Sequence, residues 1–129
     1  MPEVSAVDAR VVGMRIETLV TERGLRLRTE VPDTPRERAT GLLGRNGLEP
    51  GTALLLERAR SVHTVGMRFD LAVAFLGADL QVLELVRVPP GRVLIPRRSA
   101  RHVLELRADA ALRAGDRLHR YPMTTRTTA

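Results

Sequence analysis

Apolar and polar positions alternate strictly through "GLRLRTEV". Leu25, Leu27, Thr29 and Val31 fall on one side, and Arg26, Arg28 and Glu30 on the other. Period two with one charged face predicts a half-buried strand. Gly24 would turn the chain into it from an earlier strand around Met14 to Thr21. The pattern then changes period. In "DTPRERATGLLG", Thr34 can cap a helix, Pro35 suits its first position, and Glu37 stands where a capping box needs it. Ala39, Leu42 and Leu43 would supply the inward stripe and Gly44 the stop, which predicts a helix over about 34–43. "RNGLEPG" is a loop. "TALLLE" is apolar on consecutive positions, as in a strand covered on both faces.

Downstream, "RFDLAVAFL" and "LQVLELVRV" flank the turn "GAD" and predict a β-hairpin. "HVLEL" at 102–106 and "RLHRY" at 117–121 read as two further short strands, and "ADAALRAGD" between them as one helical turn. The count is about seven strands and one main helix. Hairpin spacings without a repeated βαβ pattern predict an α+β domain with a mostly antiparallel, curled or barrel-like sheet. Residues 1–121 are expected to form this single domain and 122–129 a disordered polar tail.

Composition narrows the chemistry. With 129 residues and 43% hydrophobic content the chain can build one real core. Aromatic residues are limited to Phe69, Phe75 and Tyr121, so that core must be aliphatic. The absence of cysteine removes disulfides, thiolate metal sites and a cysteine nucleophile together. The start of the chain carries Glu3 and Asp8 and lacks a basic segment before an apolar one, and no apolar run approaches a membrane span. A soluble, cytoplasmic protein is expected.

Every one of the 21 basic residues is arginine. Their distribution is uneven. Residues 1–50 carry eight arginines and eight acids; residues 51–129 carry thirteen arginines, seven acids and thus the whole net charge of +6. "RVLIPRRSAR" holds Arg92, Arg97, Arg98 and Arg101 with no acid, an anion patch by charge alone. Its alternative is a solvated loop. Nucleic-acid binding is not expected, because stacking aromatics and a recognised motif are both lacking.

Several segments in order carry a resemblance. "TPRERATGLLGR" precedes "GTALL"; then come "SVHTVGMRF", "VAFL", "VPP", "VLEL" and "AGDRL". This series resembles the domain of unknown function 192 family, a bacterial and archaeal group of small β-rich proteins, from about residue 17 to 120. The resemblance implies a compact β-dominated domain with one main helix, and no established reaction. It marks Arg38, Gly41 and Arg45, then His63, Thr64, Met67 and Arg68, and later Pro90, Glu105, Gly115 and Asp116. Relatives usually carry aspartates where this chain has Ala72 and Gly77. Asp70, two residues from Ala72, would be the substitute for the first of them.

The candidate ligand-binding residues are His63, Thr64, Arg68, Arg38, Arg45 and Glu105. His63 can carry a proton near neutral pH or hydrogen-bond a backbone. Met67 reads as core filler. Arg68 can pair with Asp70 or Glu84, or bind an anion. Glu105 lies in an otherwise apolar strand, so it is either paired, with Arg68 or Arg101 as partner, or held as an acid. His63, His102 and His119 have no ligand spacing, so no metal and no cofactor are expected. No nucleophile elbow surrounds Ser61 or Thr64, and no phosphate loop occurs. The leading expectation is a non-enzymatic binding or accessory domain for an anionic small molecule or peptide. The alternatives are an enzyme using His63 and Glu105 as acid and base, and an arginine-mediated contact with nucleic acid or an acidic protein through 92–101.

Overall fold

A computed structural model describes residues 14–121. The expected tail over 122–129 lies outside the described residues. Seven strands form one sheet: β1 (Arg15–Thr21), β2 (Arg26–Val31), β3 (Thr52–Glu57), β4 (Leu71–Leu76), β5 (Val82–Val88), β6 (His102–Arg107) and β7 (Leu118–Tyr121). Their order is β5-β4-β6-β3-β2-β1-β7. Neighbours are antiparallel except β2 and β3, which run parallel. The sheet is therefore mostly antiparallel, as expected, but mixed, with one parallel pairing at its centre. The parallel pair requires a crossover, and the segment 32–51 supplies it.

That crossover contains the one helix among the described residues, α1 (Pro35–Thr40). The capping box is present: Thr34 accepts from the Glu37 amide, and the Glu37 carboxylate accepts from the Thr34 amide. The helix ends earlier than its sequence suggests. Gly41 takes a φ of +47° and its amide closes on Glu37, so Leu42–Gly44 continue as turns. The reason is packing. No α1 residue is buried; Ala39 is exposed and only Leu42, beyond the stop, reaches the core. With six helical residues, the α+β description fits only loosely; the fold is essentially a β half-barrel. The expected helical turn in "ADAALRAGD" is absent, and the segment is built of turns.

The sheet curls until its edges approach. Gln81 bridges Arg117, Val82 N donates to Asp116 O at 2.7 Å, and Leu118 N donates to Leu80 O at 3.1 Å. Inside the curl lie Leu19, Leu27, Val31, Leu55, Ala72, Ala74, Leu76, Leu104, Leu106 and Leu118. The outer face of β3, β4 and β6 carries a second cluster of Leu54, Leu56, Leu71, Val73, Phe75 and Val103. Leu42, Ala100 and the half-buried Val62, Met67 and Leu94 cover it. The three central strands are thus enclosed on both faces, which is why "TALLLE" and "LAVAFL" have no polar side.

Candidate functional site

One lateral row crosses the outer face. Register places Glu30 (β2) beside Leu54 (β3), Leu54 beside Glu105 (β6), and Glu105 beside Val73 (β4). Two carboxylates therefore stand in an apolar row roofed by the crossover and the 61–69 segment. Glu30 was expected on a solvated face, yet it is 9% exposed. It is neutralised by Arg45, whose guanidinium donates to both its oxygens at 2.7 and 3.3 Å.

Glu105 is not neutralised. It is 5% exposed and no side chain or backbone group hydrogen-bonds it among the described residues. Arg68 and Arg101, the expected partners, are engaged elsewhere. Arg68 donates to Asn46 Oδ1 at 3.0 Å rather than pairing with Asp70 or Glu84, and Arg101 donates to the carbonyls of Arg98 and Ala100. Loss of water pushes the Glu105 carboxyl up to about 7; the charge of nearby Arg45 pulls the other way and does not cancel it. Its oxygens have one place to go. A cavity of about 170 Å³ opens above it, walled by Arg38, Thr40, Gly41, Leu43, Ser61, His63 and Met67. No fully enclosed side-chain oxygen or nitrogen lacks a partner among the described residues, so the carboxyl keeps an edge in that cavity.

The 61–69 segment is not a strand. It touches the 92–94 segment through one bridge, His63 with Val93, and then turns: Met67 N donates to Thr64 O at 3.0 Å, and Gly66 has a φ of +86°. Thr64 is the staple. It is fully buried; its hydroxyl donates to Pro89 O at 2.8 Å and accepts from Arg92 N at 2.9 Å. Thr64 therefore holds the loop that presents His63.

Of the residues singled out in the sequence, Arg38, His63 and Glu105 share the cavity, and Arg45 stands behind Glu105 through Glu30. Gly41 and Met67, which the resemblance also marks, line it too; Ser61 and Thr40 were not anticipated as lining, and only their closeness in sequence to His63 and Arg38 pointed to them. Asp70 does not take the place of an aspartate at 72. It is exposed in a separate depression with Leu48 and Arg107, whereas Ala72 faces the interior of the curl. The anion patch also divides. Arg97 pairs with Glu84 at 2.8 Å and stacks on Phe75 at 4.6 Å, while Arg98 and Arg101 line an open depression with Arg58, Arg60 and His102.

The architecture of the described residues, then, is a mixed β half-barrel with one short capped helix beside a cavity. The chain belongs to the DUF192 family, described as Uncharacterized ACR, whose model matches residues 18–119. It is similar in fold to a protein of unknown function from Novosphingobium aromaticivorans DSM 12444, with TM-score 0.68, 21% identity, and 82% of this chain and 84% of that one covered. It is also similar to a proposed transcription regulator of Sinorhizobium meliloti 1021, with TM-score 0.69, 25% identity, and coverage of 83% and 93%. No curated protein matches the chain. Among the described residues no helix is long and apolar enough to cross a membrane.

Proposed function

We propose that this domain binds a small acid, or the acidic end of a peptide, in the cavity above Glu105. The observation that carries the reading is a buried carboxyl with no partner, facing a cavity whose wall includes Arg38 and His63. An unpaired buried polar group is costly unless something satisfies it. In its protonated form Glu105 donates a hydrogen bond to an anionic oxygen, and the Arg38 guanidinium supplies the charge. The volume suits a few non-hydrogen atoms; a cavity of about 150 Å³ accommodates benzene.

The sign of proton linkage tests this. An anion beside Glu105 favours its neutral form, so binding takes up a proton near neutral pH. Calorimetry of a panel of small mono- and dicarboxylic acids, in buffers of different ionisation enthalpy, reads that uptake directly. Binding should be tighter at pH 6 than at pH 8.5, should be lost in Arg38→Gln, and should become independent of pH in Glu105→Gln. Proton release, with tighter binding of amines at high pH, would sink the proposal.

A second reading has one observation in its favour. His63 and Glu105 share the cavity, and a carboxyl titrating at about 7 suits acid–base work. An enzyme of that kind would lose turnover in either His63→Gln or Glu105→Gln while keeping ligand affinity. DNA contact of the sort a transcription regulator makes is not favoured, because a six-residue α1 is too short to serve as a recognition helix.

A further inference from the structure

A second concave site lies where β3 ends and β6 begins. Arg58, Arg60, Arg98, Arg101, His102 and Ala78 surround an open depression of about 640 Å³. Three separate chain segments build it, and they are tied together. Arg58 N donates to His102 Nδ1 at 3.0 Å, Ala59 N to Arg101 O at 3.1 Å, and Arg97 N to Arg60 O at 3.1 Å. Arg101 N donates to Leu76 O at 2.7 Å, which anchors the third segment just before Ala78. Arg58 is held with a φ of +55°, uncommon for a residue with a side chain. The arginines thus rise from a backbone that is already fixed.

Their charge is not neutralised. Among the described residues, no carboxylate pairs with any of the four guanidiniums. The acids close by in sequence are all taken by arginines outside the depression: Glu57 by Arg15 and Arg120, Asp79 by Arg117, and Glu84 by Arg97. Other arginines of the described residues also lack a carboxylate partner, Arg87 and Arg113 among them; what sets these four apart is that they line one depression. Like charges converging on a concavity repel one another and raise the potential inside it. An anion of matching charge removes that repulsion and gains forked hydrogen bonds, which guanidinium groups make to phosphate oxygens. With Nδ1 occupied as an acceptor, the neutral His102 ring carries its proton on Nε2 and adds a donor.

We propose that this depression binds a small molecule bearing two or more phosphate groups. The shape favours such a ligand over a nucleic-acid strand. The four arginines line one depression, and no aromatic side chain lines it as a stacking platform. Phe75 is buried beneath Arg97, and Tyr121 stacks with Arg26. Free polyphosphate and nucleoside polyphosphates share the recognised chemistry.

The test is titration calorimetry of the full chain with inorganic triphosphate, a nucleoside triphosphate and inorganic sulfate, repeated at rising salt. Either triphosphate should bind, sulfate should bind far more weakly, and affinity should fall with salt. Arg60→Gln with Arg98→Gln should weaken triphosphate binding by about tenfold per residue. Neither side chain makes a hydrogen bond among the described residues, so the fold should be preserved, which circular dichroism checks. A charge-matched control, Arg87→Gln with Arg113→Gln, should bind as the parent does. Equal affinity for sulfate and triphosphate, equal losses in both double variants, or binding only of a single-stranded oligonucleotide would each overturn the proposal. A nucleoside triphosphate that binds more tightly than the inorganic one supports it and identifies the nucleotide as the fuller ligand.

Discussion

Replacing Glu105 by glutamine isolates the energetic consequence of a carboxyl held without a partner. Glutamine preserves the shape and removes the charge. In the folded protein the Glu105 carboxyl titrates at about 7 instead of 4.5, because burial disfavours its ionised form. The native state therefore holds this proton more tightly than the unfolded chain. Below about pH 4 both states are protonated and the residue is neutral in its effect. As pH rises from about 4.5 to 7 the unfolded chain ionises freely and the native state does not, so stability falls. At about 1.4 kcal/mol per pH unit, the accumulated loss above pH 7 is about 3 kcal/mol. Glu105→Gln escapes that loss, less about 1 kcal/mol for an amide whose hydrogen bonds are incomplete. Urea denaturation of the two proteins at pH 5, 6, 7 and 8 should show the variant gaining roughly 2–3 kcal/mol on the parent across that range. Thermal melts should show the midpoint difference growing by roughly 10 °C. Stability curves that stay parallel from pH 5 to pH 8 would refute the reasoning, since the carboxyl would then be solvated or paired in solution.

Three further variants probe the same neighbourhood. Glu30→Ala strands the Arg45 guanidinium in a mostly buried position and should cost about 2 kcal/mol. The released Arg45 should then pull the Glu105 titration downward, seen as a shallower decline of stability between pH 5 and 8. Thr64→Val leaves the Pro89 carbonyl and the Arg92 amide without their partner, and should lower stability by about 1–3 kcal/mol in urea melts. Gly66→Ala forces a side chain onto a φ of +86° and to 3.2 Å from Leu43 Cδ2. It should cost about 1 kcal/mol and weaken ligand binding at the cavity, since Leu43 lines it.

Much of the fold was legible because its signals are local. Strict alternation marked β2, consecutive apolar residues marked β3 as doubly covered, and Thr34 with Glu37 marked the start of α1. The end of α1 was misjudged for a physical reason. Leu42 and Leu43 continue the helical spacing, but Gly41 turns the chain so that Leu42, and not Ala39, enters the core. Parallel pairing of β2 with β3 was likewise invisible, because period two is the same whichever direction a neighbour runs. Asp70 shares the parity of Ala72, but it lies before the strand begins and so falls outside the interior.

The site divides along the same line. Residue order alone puts the Glu105 carboxyl in an apolar strand, places His63 before a bend at Gly66, and crowds arginines into the second half of the chain. These follow from residue type and spacing along one segment. Which charges meet is settled by the folded arrangement of the strands. Register set Glu105 between Leu54 and Val73, the arginines expected to pair with it bond elsewhere, and Arg45 went to Glu30. Folding also removed Arg97 from the basic run by supplying Glu84, and brought Arg58 and Arg60 to Arg98 and Arg101. Neutralisation of a charge depends on distances of a few ångströms between residues tens of positions apart, and no local pattern encodes those distances.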